Sequence, residues 1–534
     1  MSTPDQWLAE VSAHINARRF SQAAVACRAV LKLQPGHAQA HYFLGLTQFH
    51  IGEHAAAGKS FVQALRFDAK HAGACIYLGR IAAMQGRLDD AAQHYFDAIT
   101  HNPSAKDAYF QLGRLFHLRA QTDDAIGCYR QALLLDATHA ESHANMGLCL
   151  LLKGQLKDAA ASLEFALKLN PNLPNAHDGL GMLAESRGDD EAAITQFDQA
   201  LGLDPHYMAA RLNRGVTRLR RGEILTGIAD WDARFDLSSA DNVITQTRRP
   251  FRQPLWQGEA LNGKPLLVWG EQGVGDEIRT AGLVADLAER GEKIVLECDA
   301  RLEALLGRSL PSVEIVGRMT PPVKATTNKT IAYQIPAENL IGFIRPTLEA
   351  FPKRPRYLMA DELKTRQFKA RLAAKNALPK IGLSWGSYNP NLIHGKTSAL
   401  MDWAPVLRTK KKHFIDLQYG ETRAERDAAQ NKLGVELTHL PDLDLKADLD
   451  GLAALISACD LVITVSNTTA HLAGALGVPT WVLLPFGHFQ PWYWFSGRAD
   501  SPWYPSVRLY RQQKFGDWAN VIARVADDLK ALKP

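Results

Sequence analysis

The sequence predicts an α-helical solenoid followed by an α/β region of two small lobes. Two observations carry the first half. Glycines stand at 45, 79, 113, 147, 181 and 215, each step 34 residues, inside segments such as "FLGLTQF", "YLGRIAA" and "QLGRLFH". Sixteen residues after the first five come Phe61, Tyr95, Tyr129, Leu163 and Phe197. The second half rests on a change of pattern: from about residue 236 the period is lost, and short β-branched runs alternate with glycine loops and helical stretches. That alternation is the grammar of parallel βαβ units.

The repeat is fuller than its glycines. Alanines occupy 57, 91, 125, 159 and 193, and again 64, 98, 132, 166 and 200, with prolines at 35, 103, 171 and 205. Small residues let two antiparallel helices touch, and the large one fills the gap between repeats, which is the tetratricopeptide pattern. The frame extends back to about residue 4 and forward through a degenerate seventh copy from about 208 that fades near "ADWDARFDL". The expected array is therefore 1–241, about seven repeats, and its plainest role is to bind a protein. Two residues before each frame glycine, at a position that tends to face the groove, stand Phe43, Tyr77, Gln111, Asn145, Gly179 and Asn213. An unbroken asparagine ladder would suit an extended peptide; aromatics near the N-terminus point instead to a folded or helical client with apolar contacts.

Bulk composition narrows the rest. The 534 residues are too many for one core. Lys plus Arg is 61 and Asp plus Glu 56, a net charge of +5, with no basic stripe of the kind that nucleic acid requires. The "TKKKHF" run around Lys410–Lys412 reads as a solvated edge. "MSTPDQWLAEVSAHINARRF" lacks a signal-peptide core and no apolar run reaches spanning length, so the expected location is cytoplasmic, with no membrane span. Cys27, Cys75, Cys128, Cys149, Cys298 and Cys459 show no C-x-x-C pairing, which argues for small buried residues rather than disulfides or zinc.

A linker, "QTRRPFRQPLWQGEALNGKP", is expected over 242–262, then lobes over 263–375 and 376–534. The first lobe opens with "PLLVWGEQGVGDEI". Its loop residues Glu271, Gln272, Gly273 and Gly275 form neither a G-x-G-x-x-G fingerprint nor a P-loop, which would need a lysine. Asp276, at the start of the next helix, is an N-cap on one reading, worth about 0.5–2 kcal/mol; on the other it is a general base toward an acceptor hydroxyl. The second lobe carries "VITVSNTTAHLAGALGVPTWVLLP", strand, polar loop, helix, strand. Ser466, Asn467, Thr468 and Thr469 sit where a helix N-terminus can receive a phosphate, and are equally ordinary caps.

Five ordered segments, "LLVWGEQGVGDEI", "IGLSWGS", "FIDLQYGE", "DLVITVSNTTAHLAGALGVPTWVLLP" and "DSPWYPSVRLYRQ", together resemble bacterial tetratricopeptide proteins carrying a GT-B glycosyltransferase domain. That domain is akin to heptosyltransferases and, more distantly, to O-GlcNAc transferase. The resemblance spans 263–530 and implies a GT-B type domain of two Rossmann-like lobes, the first on the acceptor side and the second holding a nucleotide-activated sugar. It implies that Asp276 is the base and that Lys396 neutralises the departing phosphate. Asn467, Thr468, Thr469 and His471, with Ser466, would hold the donor phosphates, and Ser384, Trp385 and Gln418 would line the nucleotide pocket, though Trp385 fits a core position equally. No metal or cofactor is implied beyond the nucleotide-sugar co-substrate, because lysine and helix N–H groups can stabilise the leaving group.

One departure stands out. Heptosyltransferase-like members carry Asp-Thr where this chain has Ser466-Asn467. Either the site is dead or it serves a donor for which a carboxylate would be harmful. At roughly 4 Å two like charges repel by about 1–4 kcal/mol at effective dielectrics of about 80 to 20, so a neutral "SNTT" is compatible with an acidic sugar such as a CMP-nonulosonic acid. The aromatic segment "HFQPWYWFSGRADSPWYPSVRLYRQ" leaves His488, Trp492 and Arg511 as packing or cleft residues. The expected function is protein O-glycosyl transfer to Ser or Thr of a client, with flagellin the client the resemblance names. The alternatives are a scaffold or chaperone with a retired transferase domain, and transfer to lipopolysaccharide or another glycan. The oligomeric state is not encoded in these features.

Overall fold

A computed structural model describes residues 4–237, 248–387 and 398–532. A helical repeat solenoid of fourteen helices among these residues precedes a region of parallel sheets. First helices begin at Pro4, Ala38, Ala72, Lys106, Ala140, Pro174 and Met208, and second helices at Phe20, His54, Leu88, Thr122, Leu156, Asp190 and Ile224. Both series step by 34 residues, so the helices keep the period that the glycines set.

By contact density the chain forms two units. One takes in the chain up to Leu183 together with Gln199–Ala209; the other takes in Ala184–Asp198, Ala210–Asp236 and the α/β region that follows. In the first unit the glycine frame has a direct physical cause. A Cβ on Gly45, Gly79, Gly113 or Gly147 would stand 2.6, 2.5, 2.7 or 2.7 Å from Phe61, Tyr95, Tyr129 or Leu163 respectively. Those four large side chains are buried, as are Ala57, Ala91, Ala125 and Ala159 four residues before them. His37, His71 and His139, also in the 34-residue frame, cap the helices they precede by accepting the N–H of Ala40, Ala74 and Ser142.

The second unit begins with the last helical residues and carries two parallel sheets. Strands β1 (Leu266–Trp269), β2 (Ile294–Cys298), β3 (Glu314–Gly317) and β4 (Tyr333–Pro336) are ordered β3-β2-β1-β4. Strands β5 (Lys380–Ser384), β6 (His413–Asp416), β7 (Leu461–Val465), β8 (Thr480–Leu484) and β9 (Val507–Arg511) are ordered β6-β5-β7-β8-β9. Six of these strands are buried along their whole length or all but one residue, as apolar runs in doubly covered parallel sheets should be. One core joins Val268 and Ile278 of the first sheet's layer with Val462 and Leu472 of the second and with Leu219 and Ile224 of the last repeat. The last helical pair therefore belongs to the α/β core.

No helix among the described residues is long and apolar enough to cross a membrane. The six cysteines are free thiols, and burial pushes those of Cys27, Cys149 and Cys459 up to about 12.

Candidate functional site

Each sheet reverses its direction of build once, and parallel sheets bind ligands outside the strand ends at that point. In the first sheet the chain leaves β1 toward β2 and returns on the other side as β4, so the reversal lies between β1 and β4. In the second it lies between β5 and β7. The helix after β1, Val274–Glu289, and the helix after β7, Thr468–Ala475, start side by side: a Cβ on Gly275 would be 3.1 Å from the His471 ring and 3.4 Å from Thr468 Cα. Farther along, the Tyr357 hydroxyl donates to Ile278 O while its N–H donates to Ala475 O. The two helices thus run the same way, and their positive ends meet at one place.

Asp276 stands at this meeting point, its side chain 25% exposed. It is not the N-cap of its helix; Gly273 is, and Asp276 lies in the first turn, where a carboxylate is favoured by the helix dipole. Arg279, one turn on and buried, donates through Nη2 to Asp276 at 3.3 Å. The same guanidinium makes a two-bond pair with buried Glu338, at 2.9 and 2.6 Å, from the turn after β4. The rings of Trp492, Tyr493 and Trp503 lie 5.1, 4.6 and 4.8 Å from its carbon centre. Burial works against the charge on Arg279, but Glu338 and then Asp276 outweigh it and hold the group ionised. Burial, with Asp276 next, pushes the Tyr493 phenol well above its usual range.

Across the seam, Asn467 caps its own helix. Its Oδ1 accepts from Thr469 N at 3.0 Å and Ala470 N at 3.3 Å, and its Nδ2 donates to Ser384 Oγ at 2.8 Å and Gly386 O at 3.0 Å. Gln418 accepts from Gly386 N and Ser384 Oγ and donates to the Gly386 and Tyr419 carbonyls. These three residues tie the ends of β5, β6 and β7 together, all buried. Ser466 accepts from Trp494 Nε1 at 2.8 Å. His471 is buried, shares a hydrogen bond with the Tyr504 hydroxyl at 2.9 Å, and stacks on Trp494. Thr469 is fully buried, whereas Thr468 is partly exposed at the helix start.

Trp385 is a core residue rather than a pocket wall: it is 2% exposed, packs with Ile381, Leu400 and Trp403, and donates through Nε1 to Glu425. Glu271 also faces inward. Arg234, from the turn closing the last repeat, binds it at 2.9 and 2.8 Å and reaches Asn339 at 2.6 Å, so Glu271 anchors the glycine loop instead of facing a ligand. Burial raises the Glu271 carboxyl against the pull of Arg234. Gln272 is partly exposed and Gly273 exposed beside it. Lys396 lies outside the described residues.

The loop after β8 is bound to the last two repeats. Buried Glu185 accepts from His488 at 2.5 Å, Thr217 at 2.6 Å and Arg220 at 2.8 Å, and Arg220 also reaches Asp190. Burial alone would raise the Glu185 carboxyl; Arg220 and then His488 hold it down to about 2. Ser496 N donates to Arg220 O, and Arg511 grips the carbonyls of Trp494, Phe495 and Arg498. Phe495, at φ +44, is held in a conformation that side chains disfavour, in the loop that presents Tyr493 and Trp494. His488, Trp492 and Arg511 are packing residues.

In the first unit Phe43 and Tyr77 are half-buried against one aromatic cluster, with the Arg80 guanidinium 4.9 Å from the Tyr77 ring. Gln111 is half-buried, and Asn145 accepts from Asn175 at 3.1 Å. Asn213, in the second unit, is half-buried one turn before Thr217, which donates to its carbonyl. The structure brings Gly275, Asp276, Thr468 and His471 together; it turns Ser384, Gln418 and Asn467 inward. The sequence reading missed Arg279, Glu338, Tyr493 and Arg234. A signal existed for Arg279, a charge on the apolar face of "VGDEIRTAGLVADL", three residues after the acid it holds.

The tetratricopeptide repeat model matches residues 8–74, 77–133, 119–174 and 179–239. Protein FlbA of Caulobacter vibrioides is 36% identical over 291 residues, covering 52% of this chain and 48% of FlbA. The chain therefore spans about half the length of that curated relative. Among solved structures, Pseudomonas aeruginosa PilF is similar at 19% identity and a TM-score of 0.36, over 39% of this chain and 95% of PilF. YrrB, described as a TPR protein with an unusual peptide-binding site, matches at 20% identity and 0.30, over 35% of this chain and 96% of YrrB. The N-terminal region is a tetratricopeptide-repeat array, in a chain related to FlbA.

Proposed function

We propose that the α/β region is a GT-B type glycosyltransferase that moves a sugar from a nucleotide-sugar to Ser or Thr of a protein client recruited by the repeats. The observation that carries this reading is the meeting of two helix N-termini, each at the reversal point of its own parallel sheet, with Asp276 beside them. Two positive helix ends favour a phosphate, and a carboxylate next to them can take a proton. In the reaction the acceptor hydroxyl gives its proton to Asp276, its oxygen forms a bond to the anomeric carbon, and the bond from that carbon to the phosphate oxygen breaks. The nucleotide leaves with the electron pair. Lys396 is assigned to that leaving phosphate by the family resemblance. A CMP-nonulosonic acid is the donor class that the neutral Ser466-Asn467 favours, and flagellin is the client class the resemblance names.

A second reading, a scaffold or chaperone with a retired transferase domain, is favoured by Asn467. Its carboxamide already occupies the N–H groups of Thr469 and Ala470, two of the donors a phosphate would use. Thermal melting of the full chain with CMP, UDP, GDP and ADP separates the readings. A ligand at 100 times its dissociation constant stabilises by about 2.7 kcal/mol. The transferase reading expects one nucleotide to raise the melting temperature selectively, CMP if the donor is an acidic sugar. A flat response to all four supports the scaffold.

A further inference from the structure

We propose that Arg279 is a positioning residue for Asp276: locked by Glu338, it holds one carboxylate oxygen and presents Asp276 ionised and in a fixed orientation at the seam between the lobes. The proposal rests on the reading of Asp276 as the base, and it goes beyond that reading by assigning how the base is set.

The geometry is specific to a guanidinium. The two hydrogens on Nη2 are divided between Asp276 Oδ1 at 3.3 Å and Glu338 Oε2 at 2.6 Å, while Nη1 donates to Glu338 Oε1 at 2.9 Å. Glu338 comes from the turn after β4 and Asp276 from the first turn of the helix after β1, so one side chain bridges the two segments that flank the first sheet's reversal point. A lysine ammonium lacks the planar fork that engages one carboxylate with two bonds and still reaches a second. Three aromatic rings flank the guanidinium, and both members of the Arg279–Glu338 pair are 1% exposed. Arg279 Nε is buried and has no hydrogen-bond partner among the described residues. The group therefore sits where the two carboxylates place it, with one of its own donors left unbonded. A buried pair of this kind is a weak stabiliser, because apolar residues of similar volume would serve as well.

Among the described residues, the charged and titratable groups near Asp276 include Arg279 on its own helix, Glu338 from the turn after β4, Tyr493 from the loop after β8, and His471 from the helix after β7, which lies against the neighbouring Gly275. Glu277, the adjacent acid, turns away to Arg318. Of these, Arg279 makes the direct contact and Glu338 acts through it. Removing the cation should weaken the ionised form of Asp276, and removing the Glu338 charge should strengthen it, because an opposite charge nearby favours ionisation and a like charge opposes it.

The test uses the full chain and no sugar donor. A water-soluble carbodiimide couples glycinamide to Asp276 across the carboxylate pH range, and mass spectrometry of the peptide reads the labelling midpoint. Glu271 and Glu277 in the same stretch are buried in their own ion pairs. We expect Arg279→Gln to raise the midpoint by about one pH unit or more, a tenfold change in the acid constant, and Glu338→Gln to lower it. A merely structural role would loosen the site and move both variants the same way, which overturns the proposal. If either single variant fails to fold, Arg279→Met with Glu338→Leu removes the whole pair. That double variant should raise the midpoint toward the solution value, and an unchanged midpoint overturns the proposal equally. Sugar transfer by Asp276→Asn reads the base assignment separately: opposite shifts in the labelling together with full transfer by that variant would retain the Arg279 contact and remove the base.

Discussion

The interior of the first unit and the seam of the second are built from different materials. Between helices of one repeat a glycine meets a large apolar side chain sixteen residues away, as Gly79 meets Tyr95. The second unit has glycine contacts of that kind as well, as Gly474 meets Tyr504, but it adds buried ionic contacts that are distant in sequence: Glu185 with Arg220 and His488, Arg234 with Glu271, Arg279 with Glu338. The first kind of contact fixes the spacing of helices and needs only volume. The second fixes the orientation of particular loops, and it costs desolvation that volume alone would not demand.

The largest expected effect separates the two most sharply. Arg220→Ala leaves Glu185 as a buried carboxylate without its main cation and should cost about 3–5 kcal/mol. Ten of the eleven tryptophans lie at residue 231 or beyond, so intrinsic fluorescence during urea unfolding reports the second unit. A fluorescence midpoint equal to that of the wild type would mean that the network is ornamental to the fold.

Acid should act on the same network. Glu185 is held below its unfolded value of 4.5, at about 2. A depressed carboxylate contributes stability that is present above the unfolded value and is lost as pH falls toward the folded one. Stability of the second unit should therefore decline between pH 4.5 and about 2, and Glu185→Gln should flatten that decline. An unchanged slope in the variant would assign the acid sensitivity elsewhere.

Smaller effects are expected in the first unit. Gly79→Ala drives a methyl against the Tyr95 ring and should cost about 1–3 kcal/mol by overpacking. Gly127 lies inside the helix Thr122–Leu135, and a methyl added there would meet nothing within 4 Å, so Gly127→Ala should instead stabilise by about 0.5–1 kcal/mol. Circular dichroism of helix melting reads both, and equal signs for the two would break the frame argument.

Legibility followed the same division. The 34-residue frame was visible because each repeat meets the same neighbour at the same spacing, and the helices start on that frame from Pro4 to Ile224. The β1 and β7 junctions were visible because apolar strand, polar loop and helix follow one another locally. Asn467 was legible as a cap, and its side chain does cap, but its bonds to Ser384 and Gly386 join residues more than eighty positions apart. Trp385 could be read either as core or as pocket, since a tryptophan at a strand end carries no direction; Glu425 and its neighbours decide for the core. Arg234 was hidden because its partners, Glu271 and Asn339, lie in other elements, and nothing local in "DWDARFDL" announces them.

The central claim is that the meeting of the two helix starts is the ligand site. Hydrogen exchange of the full chain, with and without whichever of the four nucleotides raises its melting temperature, tests it most directly. The account predicts slowed exchange in peptides covering residues 270–280 and 464–475 together, with the first unit unchanged. Protection confined to the repeats, or absent from both peptides, would contradict it.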